Sequence, residues 1–469
     1  MNHYARAAET AARDVPSRRD FLAAVGGGVL TLAGLPSRLG AWAAPLLRPR
    51  PTRAQLTWQR DEFALFVHFG INSFTDREWG DGTESPSLFN PTRLDPRQWA
   101  RVAREAGAKA LVLTAKHHDG FCLWPTATTR HSVASSPWMN GHGDVVRLFV
   151  EACRAEGLKP GLYCSPWDRN HPAYGDTPRY NAIFHAQLTE LLTRYGAIHE
   201  VWFDGANGEG PNGKRQVYDW PGTWTLVRRL QPNAVIFSDV GPDIRWMGNE
   251  RGASGETHWS TINPDAVRYP GDPSPDVPAI LQEGHADGTV WRPSETDVSI
   301  RPGWFHHPAE DARVKSVDDL VHLWFSSVGR NSKLLLNVPP TRDGVFHDTD
   351  IAHLIGLRQR LDALDATAVA GVRITQEPTG ATTATLTVQL REATLLRVVS
   401  LSEPIAEGQV ITRWTLRSGT GTPVLATGTT IGHRRLVEIP PTYSDTLTLE
   451  VTALDRVPPL QLTAYTGVP

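Results

Sequence analysis

Residues 97–124 read RQWARVAREAGAKALVLTAKHHDGFCLW. The first eleven place Trp, Val and Ala on one face between arginines, the 3.6-residue rhythm of a surface helix, and stop at Gly107. An apolar run, ALVLTAK (110–116), follows and reads as a buried strand. Two imidazoles, an aspartate and a glycine then crowd its end. A helix, a strand and a polar strand end form one repeat, and the chain carries several more.

Apolar runs recur at ALFVHFGI (64–71), PGLYCS (160–165), EVWFDG (200–205), AVIFSDV (234–240) and KLLLNV (333–338). Between them lie amphipathic stretches such as DVVRLFVEACRAEG, FHAQLTELLTRYG, TWTLVRRLQP and SVDDLVHLWFSSVG. Strict alternation argues for a parallel sheet covered by helices. No Gly-rich dinucleotide turn follows an early strand, and polar residues collect at several strand ends, so a (β/α) barrel fits better than an open sheet. From 241 to 332 the pattern is irregular and rich in Gly, Pro and Trp. Eight strands cannot be counted there, which makes a distorted or incomplete barrel the expectation. The catalytic domain spans 50–365. From 370 to 469, β-branched segments such as TATLTVQL, ITRWTL and DTLTLEVTA alternate with Gly, Pro and Thr turns. They indicate a C-terminal antiparallel β-sandwich, a packing partner for the barrel rather than a separate carbohydrate-binding module.

Residues 1–44 read as a twin-arginine export signal. Ser17-Arg18-Arg19-Asp20-Phe21-Leu22 precedes the apolar FLAAVGGGVLTLAGL, and Ala41-Trp42-Ala43-Ala44 offers a small-residue cleavage site. The implied location is periplasmic or secreted in a bacterium, without a membrane anchor. The net charge of −3 and the lack of a basic stripe exclude nucleic acid as a partner. Three cysteines, Cys122, Cys153 and Cys164, supply neither a disulfide framework nor metal-ligand spacing. Sixteen tryptophans are unusual, and an indole face suits sugar stacking as well as core packing.

The strand ends and loops yield a specific inventory: His68, Glu78, Trp79, His117, His118, Tyr163, Trp202, Asp204, Arg245, Trp246, Glu250, Glu295 and Trp304. Adjacent residues of a strand face opposite sides, so His117 and His118 cannot share one ion unless the strand has already ended. A metal site is therefore not expected. Asp204 leaves an apolar strand just before Gly205, where the backbone can clear a ligand. A carboxylate so placed can attack an anomeric carbon, although a helix-capping aspartate has the same sequence appearance.

Taken in order, LFVHFG, REWG, AKHHDGFCLW, GLYCSPW and VWFDG resemble the α-L-fucosidases of glycoside hydrolase family 29, over about residues 55 to 345. The resemblance implies a retaining exo-glycosidase with a barrel-like catalytic domain, no cofactor, and Asp204 as the nucleophile of a covalent fucosyl-enzyme. It implies that His68, His117 and His118 bind fucose hydroxyls, and that Glu78, Trp79, Tyr163, Trp202 and Arg245 line the sugar pocket. Apolar rings would cover the C5 methyl group. The segment GPDIRWMGNERG (241–252) is similar to the branch selective for α-1,3- and α-1,4-linked fucose on branched glycans, which makes Glu250 the acid/base and Trp304 a pocket residue. Glu295 is the second choice for that role, with Glu256 and Glu283 more distant. Retention needs carboxyl groups about 5–5.5 Å apart. The rival readings are a broad enzyme that also takes α-1,2 linkages, a fucose-binding protein without catalysis, and a metal-dependent hydrolase using the histidines.

Overall fold

The computed structural model describes residues 48–419 and 423–468. The export-signal expectation concerns residues 1–44, outside the described residues. The stretch quoted above folds as its pattern demands. Helix α2 (Pro96–Glu105; α1 is Arg53–Asp61) starts on Asp95, whose carboxylate accepts from the Arg97 and Gln98 amides, with Pro96 in the first turn. Its buried stripe is Trp99, Ala100, Val102 and Ala103. Gly107 then takes a φ of +90°, which an L side chain resists, and turns the chain into strand β2 (Ala110–Lys116).

Eight parallel strands form the barrel wall: β1 (Phe63–Val67), β2, β3 (Lys159–Cys164), β4 (Glu200–Trp202), β5 (Val235–Phe237), β6 (Arg245–Trp246), β7 (Ser294–Ser299) and β8 (Lys333–Asn337). Their order is β5-β4-β3-β2-β1-β8-β7-β6, and a Phe237–Ile244 bridge brings the two ends together. The barrel thus has eight strands and is nearly closed, and β6 and β7 lie in the stretch where the sequence allowed no strand count. Helices α3 (Val145–Ala155), α4 (Thr177–Arg194) and α5 (Trp220–Leu230) follow β2, β3 and β4; α6 (Val317–Ser326) and α7 (Asp348–Asp365) flank β8. Between β6 and β7 the chain instead forms a small antiparallel ladder, Thr261–Ile262 with Val290–Trp291.

The two-residue period of a strand decides what enters the barrel. Ala64, Phe66 and His68 share the inner face, as do Glu200, Trp202 and Asp204, and Lys333, Leu335 and Asn337. Cross-strand register pairs Lys333 with Glu295, Leu335 with Asp297 and Asn337 with Ser299, so β7 is inward-facing at the same heights. The interior is therefore layered. At the N-terminal end, Lys333 lies 3.2 Å from Glu200 and 3.6 Å from Glu295, all three fully buried, with its ammonium 4.4 Å from the Trp58 ring centre. Phe66, Tyr163, Trp202, Phe237 and Leu335 fill the middle. The polar residues sit at the C-terminal end.

The C-terminal region is built on β10 (Thr383–Ser402) and β13 (Arg435–Ala453), flanked by β9 (Gly371–Pro378), β11 (Ile411–Ser418), β12 (Val424–Gly428) and β14 (Gln461–Tyr465). Register breaks between Gln389 and Thr394 and between Leu396 and Val398 divide β10. Its first half pairs with β9 and its second with β14, and side chains from both halves share one core that includes Leu386, Val399, Leu449 and Leu462. The sandwich is one continuous antiparallel sheet folded over itself at bulges. It grips the barrel's irregular segment. Thr430 accepts from the His258 amide, Gln409 from the Ser260 amide, and Arg435 binds Glu256. Among the described residues, no helix is long and apolar enough to cross a membrane.

Candidate active site

β2 ends at Lys116 after a register break, and both following imidazoles reach one cavity, their ring centres 4.2 Å apart. The rule that strand neighbours diverge does not apply, because the strand is over. Hydrogen bonds fix which ring nitrogens are free. Asn337 donates its amide to Ser299 and to the Trp304 carbonyl, so its Oδ1 accepts, 2.8 Å away, from His68 Nδ1. Ser165 gives its proton to the Trp167 carbonyl and must accept from His118 Nδ1 at 2.8 Å. Both rings therefore present a bare Nε2 to the cavity. Burial holds His68 down to about 3, pushes His117 well below its ordinary value, and outweighs Asp204 at His118. Three neutral imidazoles, two of them fixed as hydrogen-bond acceptors, suit a ligand of hydroxyl groups.

Asp204 takes the next inward position after Trp202 on the β4 path. Its carboxylate accepts from the Ala206 amide at 2.6 Å and from Tyr163 Oη at 3.3 Å, and lies 3.8 Å from His118 Nε2. Gly205 has a different cause from the expected one. A Cβ there would fall 2.0 Å from Asp239 Oδ2 and 2.7 Å from the Gly271 amide, so the glycine clears protein rather than ligand. Glu250, in the loop after β6, accepts from the Trp304 indole, while burial together with the charges of Asp204 and Glu78 raises its pKa. The cavity has a volume of about 180 Å³. Phe66, His68, Trp79, His117, His118, Tyr163, Trp202, Asp204, Glu250, Asp297 and Trp304 line it.

Three expected site residues stand elsewhere. Arg245 is fully buried, giving its guanidinium to the Leu281, Trp259 and Arg292 carbonyls, and ties down the irregular segment instead of facing the cavity. Glu295 lies in the ionic floor, where it accepts from the Trp202 indole at 3.1 Å; burial and Glu200 push its pKa well up. It is one pleat too deep to act as the acid/base. Glu78 does not line the cavity either; it accepts from the Trp304 and Phe305 amides and meets His307 at 3.1 Å, clamping the Trp304 loop. Trp246 reaches the adjoining cavity. Of the distant options, Glu256 is held by Arg330 and Arg435, and Glu283, which ends a short helix, lines neither cavity. Asp297, which lines the site, went unread, although the alternation of SETDVS would have placed it inward with Glu295.

A nucleophile-competent carboxylate and a second acid with a raised pKa, meeting in a pocket of indoles and neutral imidazoles at the C-terminal mouth of a barrel, define a glycoside hydrolase. Comparison with known proteins narrows this. The Alpha-L-fucosidase family model matches residues 48–361. Alpha-L-fucosidase 1 of Arabidopsis thaliana is 40% identical over 425 residues, covering 84% of this chain and 82% of its own. A glycoside hydrolase 29 family member from an unknown rumen bacterium is 40% identical with a TM-score of 0.82, over 90% of this chain and 78% of its own. A Ruminococcus gnavus fucosidase of the same family, solved in complex with fucose, is 28% identical with a TM-score of 0.79, over 90% of this chain and 95% of its own. The chain belongs to the α-L-fucosidase family, glycoside hydrolase family 29.

Proposed function

We propose that the protein releases terminal L-fucose from α-1,3/1,4-fucosylated branched glycans with retention of configuration. The observation that carries this reading is the joint presence of Asp204 and Glu250 on one pocket wall that continues into a second cavity. Fucose occupies the inner pocket, where His68 and His118 accept its hydroxyls on Nε2. Asp204, aligned by Tyr163 and the Ala206 amide, attacks the anomeric carbon. Glu250 protonates the departing oxygen and then deprotonates the water that frees the sugar. A raised pKa suits the first of these tasks, and the Trp304 hydrogen bond orients the carboxyl for both. The linkage preference rests on the GPDIRWMGNERG segment that carries Glu250. Export through the twin-arginine signal to the periplasm or beyond belongs to the same reading.

The test uses purified mature protein with an α-1,3/1,4-fucosylated trisaccharide, an α-1,2-fucosylated one and an aryl α-L-fucoside, followed by proton NMR. Fast release from the first substrate alone, with α-fucose as the first-formed anomer, is expected. Equal release from all three removes the linkage preference. β-Fucose formed first removes the covalent intermediate.

A further inference from the structure

Two cavities meet at the active site, and Asp204, Glu250 and Asp297 line both, with Trp202 and Ala206 beside them. The first two carry the reaction proposed above, so the bond they cleave crosses this junction. The third acid has no part in it so far. Asp297 is the fourth residue of β7, only 4% exposed, and faces inward one pleat above Glu295. Its Oδ1 accepts from the Trp246 indole at 2.6 Å. Its Oδ2 makes no hydrogen bond to any other described residue, although the side chain forms part of both cavity walls. No lysine or arginine is among the residues lining either cavity. Burial first, then the charges of Glu250 and Asp204, push the Asp297 pKa well above the carboxylate range. Burial thus favours the uncharged acid over the carboxylate at this position. Because Oδ1 is accepting, the proton belongs on Oδ2, the atom left for a ligand.

We propose that Asp297 touches the substrate at this junction and donates a hydrogen bond from Oδ2 to an oxygen beside the bond that breaks. It holds fucose and leaving group in line while Asp204 and Glu250 make and break bonds, and its own proton stays in place throughout. This inference rests on the fucosidase reading and adds a third substrate-contacting carboxyl to it. It also explains why an acid, rather than an apolar residue, fills an inward position beside the apolar Leu335.

The experiment compares wild type, D297N, D297A and W246F on a fucosylated trisaccharide and an aryl α-L-fucoside. Asparagine keeps a neutral N–H donor, so D297N should retain kcat/KM within about threefold and leave the pH profile in place, whereas D297A should lose roughly tenfold or more. If Asp297 only braced Trp246, W246F would reproduce the D297A loss while D297A kept its response to the aryl fucoside; that result overturns the proposal. So does a D297N enzyme as impaired as D297A, which would mean that the carboxylate form acts, and so does a D297A enzyme as fast as wild type. Melting curves and fucose-induced tryptophan fluorescence establish that each variant folds and binds. Should D297A not fold, the infrared carbonyl band of a protonated carboxyl decides, since it must be present in wild type at pH 7 and missing from D297N. Wild type that releases no fucose from either substrate defeats the parent reading; active wild type beside an indifferent D297A defeats only this one.

Discussion

The two ends of the barrel interior both hold carboxyl groups, under opposite conditions. At the N-terminal floor, Glu200 and Glu295 share Lys333, and the Trp58 indole donates to Glu200 at 2.9 Å. At the C-terminal mouth, Asp204, Glu250 and Asp297 line the cavities without a cation among them; Tyr163, Trp304 and Trp246 donate to them instead. The floor compensates its charge and gains a fixed structure. The mouth leaves its charge uncompensated, and there the pKa values of Glu250 and Asp297 are raised. An oxocarbenium-like transition state is positive, and this is the end of the barrel that can receive it.

Substitutions at each end test that contrast. The largest effect belongs to Asp204→Ala, which should lower kcat on every fucoside by about four orders of magnitude or more while fucose still binds. Kinetics beside fucose titration check it, and residual activity within a hundredfold of wild type would remove Asp204 as nucleophile. At the floor, Lys333→Met leaves two buried acids without their cation and should cost about 3–5 kcal/mol of stability, read from urea unfolding, with turnover per folded molecule almost unchanged. A stable but inactive Lys333→Met enzyme would contradict the separation of the two ends.

Glu250→Ala should lose roughly 10²–10⁴-fold on natural linkages, much less on a fucoside with a good leaving group, and regain turnover with azide. Equal loss on all substrates without rescue would disqualify it as the acid/base. Glu78→Gln loosens the Trp304 clamp and removes a charge that helps raise the Glu250 pKa. We expect about a tenfold loss of activity and an alkaline limb of the pH–rate profile displaced toward lower pH, since Glu250 then gives up its proton more easily. An unmoved limb would assign that limb to another group. The smallest effect concerns Asp119, whose pKa burial, with help from Glu84 and Asp168, raises to about 7. The folded state binds that proton more tightly than the unfolded chain, so this group's contribution to stability falls as pH rises from the ordinary carboxylate range to about 7. Asp119→Asn should therefore raise stability relative to wild type more at pH 8 than at pH 5. Equal melting shifts at both values would refute the assignment.

The sequence was legible where strands bury both faces in apolar surroundings. ALVLTAK packs against helices outside and aromatic rings inside, and an apolar run marks it. β7 escaped because its inner face meets an ionic floor and a polar pocket, so SETDVS carries no hydrophobic signature although all six residues are buried. β6 escaped because two residues cannot show a period. Asp204 and the histidines were legible from their places at the ends of readable strands. Arg245 was misplaced because the three carbonyls that hold it, of Trp259, Leu281 and Arg292, all come from the irregular segment. The clamp of Glu78 on Trp304 joins residues 226 positions apart, which local patterns cannot reveal.

The single bridge between Phe237 and Ile244 has a further consequence. From β6 backward through β7, β8 and β1 to β5 the hydrogen-bonded wall is unbroken, and Asp204, the proposed nucleophile, stands just past one of its strands. Glu250, the proposed acid/base, and much of the adjoining cavity hang from the chain that begins at the seam. The loop after β6 lies outside that ladder, so a change in its length leaves the ladder's own hydrogen bonds in place. Such a change would redraw the outer cavity around the proposed acid/base while the residues proposed to hold fucose keep their places.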